Sequence, residues 1–439
     1  MPALAAQREA MGAAMSCVGI LAGGGRLPLT VAESVRARGQ PVHIVGIEGE
    51  AAPEIARFPH TWVNWGQIGR MVSTLRAEGA DELVIAGGVS RPDLWRVRPD
   101  LGFFLNLPMI VRLLAGGDDA VLTRVLRFFE AKGLSVRGVH EVAPDLLARA
   151  GRIGSVALED PDCVDAELGF AVRRALAPVD AGQAVVVAAG KVLAIEGAEG
   201  TDAMLQRVAD LPGCQGPASR RGVLAKGPKP GQELRIDMPA IGPRTIEQAR
   251  AAGLAGVAVE AGAVLILDRE QAVNMANGRA CAIQGFAATG WGQMPPSAQR
   301  AVRVIGRHHP SRHDIADIAT GFAAVEALAP LGTGSGAVVQ RRYILALEAV
   351  EGVAALLDRA AALRGQWGLR WSKAGVLVRR ADGAFKVDAG RLGSVLAQAA
   401  AQELSGVAVV GSAPALAPYE DLGPLADDLG LFLVLCGTP

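Results

Sequence analysis

CVGILAGGGRLPLTVAESVRARGQPVHIVGI, residues 17–47, decides the fold of this chain. It opens on an apolar, β-prone run, passes through a triple glycine, and continues with apolar positions at helical spacing up to Gly39, where a second apolar run begins. The stretch reads as strand, tight loop, amphipathic helix and strand. The same pattern returns in ELVIAGGVSRP at 82–92, whose strand ends in Gly87 and Gly88, and in LSVRGVHEV at 134–142. Short apolar strands alternating with helices predict a parallel, doubly wound sheet, so residues 16–152 are expected to form a Rossmann-like α/β domain. In such a domain ligands sit at the carboxyl ends of the strands.

Gly23, Gly24, Gly25 and Gly88 stand at those ends. Glycines there either offer backbone N–H groups to a phosphate or only permit a sharp strand-to-helix turn. The spacing falls short of GxGxxG, because Leu27 and Pro28 stand where that fingerprint needs other residues. Two further patches are expected near the crevice: Trp65-Gly66-Gln67-Ile68-Gly69 and Gly116-Gly117-Asp118-Asp119, whose aspartates are read as a helix cap in preference to Mg²⁺ ligands. LGFFLNLPMIVRLL at 101–114 reads as a buried helix, with an acyl-chain or bilayer contact as the other use of so apolar a run.

Composition bounds the rest. The chain has 439 residues, half of them apolar, enough for roughly two to three domains. Acidic and basic residues balance to zero net charge, which argues against a nucleic-acid track or a polybasic membrane patch. Cys17, Cys163, Cys214, Cys281 and Cys436 lack CxxC or Cys/His spacing, so neither a zinc site nor a disulfide framework is expected, and a reducing cytoplasm fits best. No apolar run reaches the roughly 18 residues that a membrane span needs. Residues 1–15 read as a polar, alanine-rich tail without a role.

Residues 153–287 are expected to form a second α/β domain. A helix from Asp162, a strand pair about a Gly190 turn, and a helix opened by Thr201 as N-cap with Asp202 in its first turn precede GVLAKGPKPGQELRIDMPAIGPRT at 222–245. That segment concentrates charge, proline and glycine as a shaped loop does. Lys226, Lys229 and Arg235 offer cationic donors, Gln232 an amide and Asp237 a lone carboxylate, while the prolines fix φ. These groups suit a phosphate and a divalent cation. Asp237 is the best metal ligand or water-orienting base, Lys226 and Lys229 would contact phosphates, and Asp202 would help hold the metal or only favour its helix N-terminus. Arg26 and Arg91 would add charge-assisted hydrogen bonds.

From Asp314, DIADIATGFAAVEALAPLGTGSGAVV repeats DCVDAELGFAVRRALAPVDAGQAVVV from Asp162 without a gap, at an offset of roughly 152 residues. Residues 313–439 are thus a duplicate of the second domain, joined through a linker at 288–312 in which His308, His309 and His313 are read as solvated. The copy loses polar groups: Val353 and Ala354 replace Thr201 and Asp202, the KPGQ tetrapeptide is missing, and no proline follows Asp388. Such a repeat is expected to pack on its sibling as an intrachain pseudo-dimer, which would leave the protein monomeric.

AGGGRLP at 22–28, GQIG at 66–69, AGGVSRP at 86–92, GDDAVL at 117–122, GVHEVAPDLL at 138–147, GQAVVV at 182–187, EGTDAM at 199–204 and KPGQELRIDMPAIGPRT at 229–245 together resemble the LpxI-type UDP-2,3-diacylglucosamine diphosphatases. The likeness runs from about Ser16 to Phe286, with Ala240 standing where the family usually has Thr and Ser90 where a basic residue is common. It implies Mg²⁺-dependent hydrolysis of UDP-2,3-diacylglucosamine to UMP and 2,3-diacylglucosamine 1-phosphate in lipid A synthesis, with attack on the uridine side. It also implies a site between a Rossmann-like domain and a distinctive C-terminal domain, with Asp237 as the residue matching the Asp of the IDxPxIGP motif. Substrate contacts are expected from Gly23, Gly24, Gly25, Arg26, Gln67, Gly88, Arg91, Thr201 and Gln232, alongside Asp237, Lys226 and Lys229. A lipid-linked substrate implies a cytoplasmic protein that touches the inner membrane transiently. Two other readings remain: a nucleotide-dependent oxidoreductase using the first sheet, against which Glu48 is poorly placed for a ribose, and a lipid or nucleotide-sugar carrier, against which the intact 229–245 segment speaks.

Overall fold

The computed structural model describes residues 17–88, 100, 118–211, 221–229, 232–287, 302–366, 373–381 and 389–437. Arg91, Asp388 and the apolar run at 101–114 lie outside them. The chain divides into two compact units. The first comprises Met1–Arg149, Gly231–Pro243 and Ala261–Ala272; the second comprises Ala150–Pro230, Arg244–Glu260 and Val273–Pro439.

In the first unit β1 (Cys17–Ala22), α1 (Leu27–Ala37), β2 (Val42–Ile47), β3 (His60–Val63), α2 (Ile68–Ala77), β4 (Ala80–Ala86), α3 (Asp118–Ala131), β5 (Ser135–Arg137) and α4 (Val139–Val142) follow in order. The strands form one all-parallel sheet in the order β3-β2-β1-β4-β5. β1 and β2 are buried at nearly every position because helices cover both faces, which is why their sequence shows no alternation. Two apolar clusters sandwich the sheet, one built on Ile20, Ile44 and Leu29, the other on Leu21, Val45 and Leu75.

The second unit contains both C-terminal-type repeats. The first repeat runs β6 (Gly151–Ile153), α5 (Asp160–Ala175), β7 (Ala184–Ala188), β8 (Lys191–Ile195), α6 (Gly200–Ala209), β9 (Val223–Lys226), β10 (Ala240–Ile241), α7 (Pro243–Ala251), β11 (Gly256–Glu260), β12 (Leu265–Ile266), α8 (Arg269–Gly278) and β13 (Ala282–Phe286). Six of these strands form a sheet in the order β6-β13-β11-β9-β7-β8. β10 and β12 pair separately, and they belong to the first unit.

The other repeat runs β14 (Val302–Ile305), α9 (Arg312–Leu328), β15 (Gly336–Gln340), β16 (Tyr343–Leu347), α10 (Gly352–Gln366), β17 (Val376–Arg380), α11 (Ala389–Ala401), β18 (Gly406–Gly411), α12 (Ala413–Glu420), α13 (Gly423–Asp428) and β19 (Phe432–Gly437). Its sheet, β14-β19-β18-β17-β15-β16, copies the first strand for strand. Even the irregularity in the hairpin is copied, falling at Val186/Val187 in one repeat and at Val338/Val339 in the other. Asp165 accepts the N–H groups of Ala189 and Gly190 at the first hairpin turn, and Asp317 accepts those of Arg341 and Arg342 at the second. The repeats share one apolar cluster, in which Val172, Leu176 and Val185 of one meet Val325, Leu328 and Val339 of the other.

Three expectations change. The linker proposed for 288–312 contains β14, an edge strand antiparallel to β19; its apolar signal is short and interrupted by Arg303, which hides it beside the His- and Arg-rich residues that follow. The second domain is not one contiguous piece from 153 to 287, because 231–243 and 261–272 depart to the first unit and β6 starts already at Gly151. Thr201 is not a helix cap: α6 starts at Gly200 with Glu199 before it, so Thr201 lies inside the first turn with its hydroxyl directed elsewhere.

Candidate functional site

Lys226 closes β9 and is buried, with 7 % of its surface exposed. Its ammonium donates to Thr201 Oγ1 at 2.9 Å, and the Thr201 hydroxyl donates to Glu196 Oε2 at 3.1 Å. Glu196 follows β8 directly and is buried as well. Burial pushes its carboxyl above the usual carboxylate range, while the Lys226 charge and the Thr201 hydrogen bond pull it back. A buried lysine needs such a partner, because an uncompensated charge in the interior is costly. Thr201 thus links Lys226 to Glu196.

The residues after Lys226 are clamped by Arg173, which is buried on α5. Its guanidinium donates to the Gln183 carbonyl at 3.0 Å and the Pro228 carbonyl at 2.6 Å, and pairs with Glu260 at 3.4 Å. Lys229, next in line, is paired with Asp180 at 3.3 Å. Asp202 faces Arg244 at 3.1 Å, both side chains well exposed. Arg173, Glu196 and Glu260 were not singled out from the sequence. Glu196 adjoins the EGTDAM motif and offered a signal; Arg173 on an amphipathic helix and Glu260 at the end of an apolar strand did not.

In the first unit, the loops after β1 and β4 close on each other. Gly24 and Gly88 exchange backbone hydrogen bonds at 2.6 and 3.1 Å, and the Gly23 N–H donates to the Ala86 carbonyl. In this structure the N–H groups of Gly23, Gly24 and Gly88 are thus engaged by the chain itself, as the turn-forming reading of these glycines expects. Gly87 makes this closure possible: its φ is +92° and a Cβ there would stand 2.5 Å from the Gly24 carbonyl oxygen. Arg26 binds Asp268 through Nε at 3.2 Å and Nη2 at 2.9 Å, with half of its side chain exposed. Gln67 precedes α2 and accepts the Asn64 N–H through Oε1 at 3.0 Å.

Asp237 is exposed at the end of a turn. Its N–H donates to the Glu233 carbonyl at 3.0 Å, and its carboxylate accepts from Gln232 Nε2. On either side the chain is anchored, Ile236 in one apolar cluster of the unit and Met238 in the other. Alternation about an exposed position presents the carboxylate to solvent while its neighbours fix the backbone. Arg235 adds a second anchor through Glu233 at 2.8 Å and Glu130 at 3.0 Å. Among the described residues, no group of three or more His, Cys, Asp or Glu side chains is placed to hold a metal ion.

The chain combines a parallel-sheet α/β unit, whose glycine loops close at the strand ends, with an α/β unit in which a lysine is buried at the end of a strand, and so is a multi-domain α/β protein. The chain belongs to the LpxI family: the model of the LpxI N-terminal domain matches residues 17–146, and that of the LpxI C-terminal domain matches twice, at 149–284 and 302–434. The C-terminal domain is therefore duplicated. The chain is also 43% identical, over 265 residues, to the UDP-2,3-diacylglucosamine pyrophosphatase LpxI of Caulobacter vibrioides; the likeness covers 60% of this chain and 95% of that protein.

Proposed function

We propose that this chain hydrolyses the pyrophosphate bond of UDP-2,3-diacylglucosamine, releasing UMP and 2,3-diacylglucosamine 1-phosphate for lipid A synthesis. The observation that carries the reading is the match of both LpxI domains together with a relative of that name over nearly its whole length. The side chains are suited to the chemistry. A diphosphate repels a nucleophile through its own negative oxygens, so its hydrolysis needs positive charge at the phosphates and a positioned water. Lys226 and Lys229 supply cations on a clamped segment, and Asp237 supplies a carboxylate that can orient the water or hold a cation.

Asp237 suits Mg²⁺, which takes one or two carboxylates together with waters and substrate phosphate oxygens. Asp202 suits it less, since Arg244 already faces it. When bound, Mg²⁺ neutralises the diphosphate oxygens and eases attack by water. The shared apolar cluster of the two repeats supports a monomer in which the duplicate takes the place of a second chain. A dimer mass by light scattering at low concentration would overturn that part. No helix among the described residues is long and apolar enough to cross a membrane, and cytoplasmic action with brief contact to the bilayer holding the substrate is part of the proposal.

The test is incubation of the purified chain with substrate and Mg²⁺ in H₂¹⁸O, followed by mass spectrometry. Label in UMP, lost with EDTA and with Asp237→Asn, is expected. Substrate that is bound and survives would make the chain a carrier.

A further inference from the structure

The turn carrying the partners of Lys226 is held from the duplicate. Glu196 and Thr201 bracket Gly197–Gly200, and these residues lie against β16. The Ala198 N–H donates to the Leu345 carbonyl at 3.0 Å. Gly197 admits no side chain, since a Cβ would stand 2.6 Å from the Leu345 carbonyl oxygen and 3.2 Å from Ala346 Cα. The Glu199 carboxylate, 5% exposed, accepts the Gly197 N–H at 3.1 Å and Arg207 Nη2 at 2.6 Å, and meets Arg359 Nε of the duplicate at 3.8 Å. Arg359 binds Glu351 at 2.7 Å and the Leu347 carbonyl at 2.6 Å, and Arg207 reaches across to Glu351 at 3.4 Å.

Glu199 and Arg207 occupy the same places in one repeat as Glu351 and Arg359 in the other. Two carboxylates and two guanidiniums thus form a buried, internally neutral ring across the repeat interface. Removing any one member of such a ring is costly, because it leaves a buried charge uncompensated. The backbone contact is one-sided. Ala198 is bonded to the duplicate, whereas Val350, its counterpart, is 47% exposed.

We propose that the duplicate is a brace for Lys226. Leu345 and Arg359 are positioning groups: they fix the Gly197–Gly200 turn and, through Glu196 and Thr201 on either side of it, the place of the Lys226 ammonium. A contiguous chain of contacts runs from Arg359 to Glu199, along the turn to Thr201, and from Thr201 to Lys226. The inference rests on the proposed role of Lys226 in the hydrolysis. It gives a duplicate without the 229–245 segment a function in the reaction.

The test is a double-mutant cycle on the full chain, with Arg359→Met and Gly197→Ala each made with and without Lys226→Ala. In the presence of Lys226 each brace variant is expected to lower kcat/KM roughly tenfold. In the Lys226→Ala background the same variants are expected to change nothing further, and Arg359→Lys is expected to restore most of the loss. Equal losses in both backgrounds would mean a merely structural contact and would overturn the brace. Amide hydrogen exchange separates this from failure of the hydrolase reading. Faster exchange at Gly200 and Thr201 in both variants, with β11 unchanged, is expected whether or not the substrate is turned over, and unchanged exchange there refutes the brace independently.

Discussion

In the first repeat the chain leaves the six-stranded sheet twice, after β9 and after β11, and both excursions, 231–243 and 261–272, belong to the N-terminal unit. In the duplicate only residues 381–388 separate β17 from α11, and only Ser412 separates β18 from α12. The framework was kept and the outward-reaching segments were cut back. Polar residues follow the same division. The clamp of Arg173 and Glu260 is replaced by Val325 and Val410, both in the shared apolar cluster. Yet the buried cation and carboxylate survive, since Glu348 and Arg379 stand where Glu196 and Lys226 stand, 4.0 Å apart and almost wholly buried. The duplicate therefore did not simply lose its polar groups. It kept those that the core needs and lost those that serve a segment it no longer has.

The comparison breaks most easily at the two aspartates that the repeat aligns. Asp237→Asn is expected to lower turnover about a thousandfold, in line with the loss of a group acting directly on the developing charge. Asp388→Asn is expected to leave turnover at the wild-type level. Steady-state rates on the two variants decide it, and comparable losses would show that both repeats take part in the reaction.

That contrast also shows how far the sequence could be read. The parallel sheet was legible because buried strands and amphipathic helices leave different apolar periods in residues 17–88. The duplication was legible because α5 and α9 are aligned without a gap. Strand β14 was not, since an edge strand of four residues with an arginine in it has too little period to register. Membership of 231–243 in the other unit was hidden for a different reason: tertiary contacts decide it, through Met238 and β10, and neither has a local pattern. At the candidate site, Lys226, Lys229 and Asp237 were legible as charge within a proline- and glycine-rich segment. Arg173 was not, because its meaning lies in a guanidinium that a helix delivers to the Pro228 carbonyl 55 residues away, and Glu196 was legible only as a neighbour of EGTDAM, its carboxylate standing behind Thr201 across a turn.

A sharper form of the comparison rebuilds the duplicate's choice inside the first repeat. Arg173→Val with Glu260→Val removes a buried ion pair and leaves apolar side chains, as Val325 and Val410 do. Such replacements are often neutral, so the double variant is expected to unfold within about 1 kcal/mol of the wild type, while Arg173→Val alone, which strands Glu260, costs about 3–5 kcal/mol. Turnover of the double variant should nevertheless fall about a hundredfold, because the Pro228 carbonyl loses its donor and Lys229 is displaced. Urea denaturation and kinetics on the same preparations are the measurements. A stable double variant at full activity would remove the clamp from the list of groups that position the lysines.

The smallest effect on turnover is expected where the duplicate kept its charges. Burial pushes the Glu348 carboxyl up, and Arg379 together with the Ser335 hydroxyl, which donates to it at 2.7 Å, holds it down. Arg379→Met removes the larger of these opposing influences, so the carboxyl rises further above its value in the unfolded chain. A carboxyl raised on folding contributes stability that is complete below the unfolded pKa, about 4.3, and is lost as the pH climbs through the folded one. The variant should therefore be about 3 kcal/mol less stable than the wild type at neutral pH. The gap should narrow steadily as the pH is lowered toward the ordinary carboxylate range, and adding Glu348→Gln should close most of it at every pH. Turnover at neutral pH, below the melting temperature, should stay within about threefold of the wild type, since the pair lies outside the groups assigned to the diphosphate. Chemical denaturation across that pH range is the decisive measurement. A gap that does not change with pH would mean that Arg379 holds the duplicate together by packing alone, and that the cation and carboxylate of the two repeats are retained for different reasons.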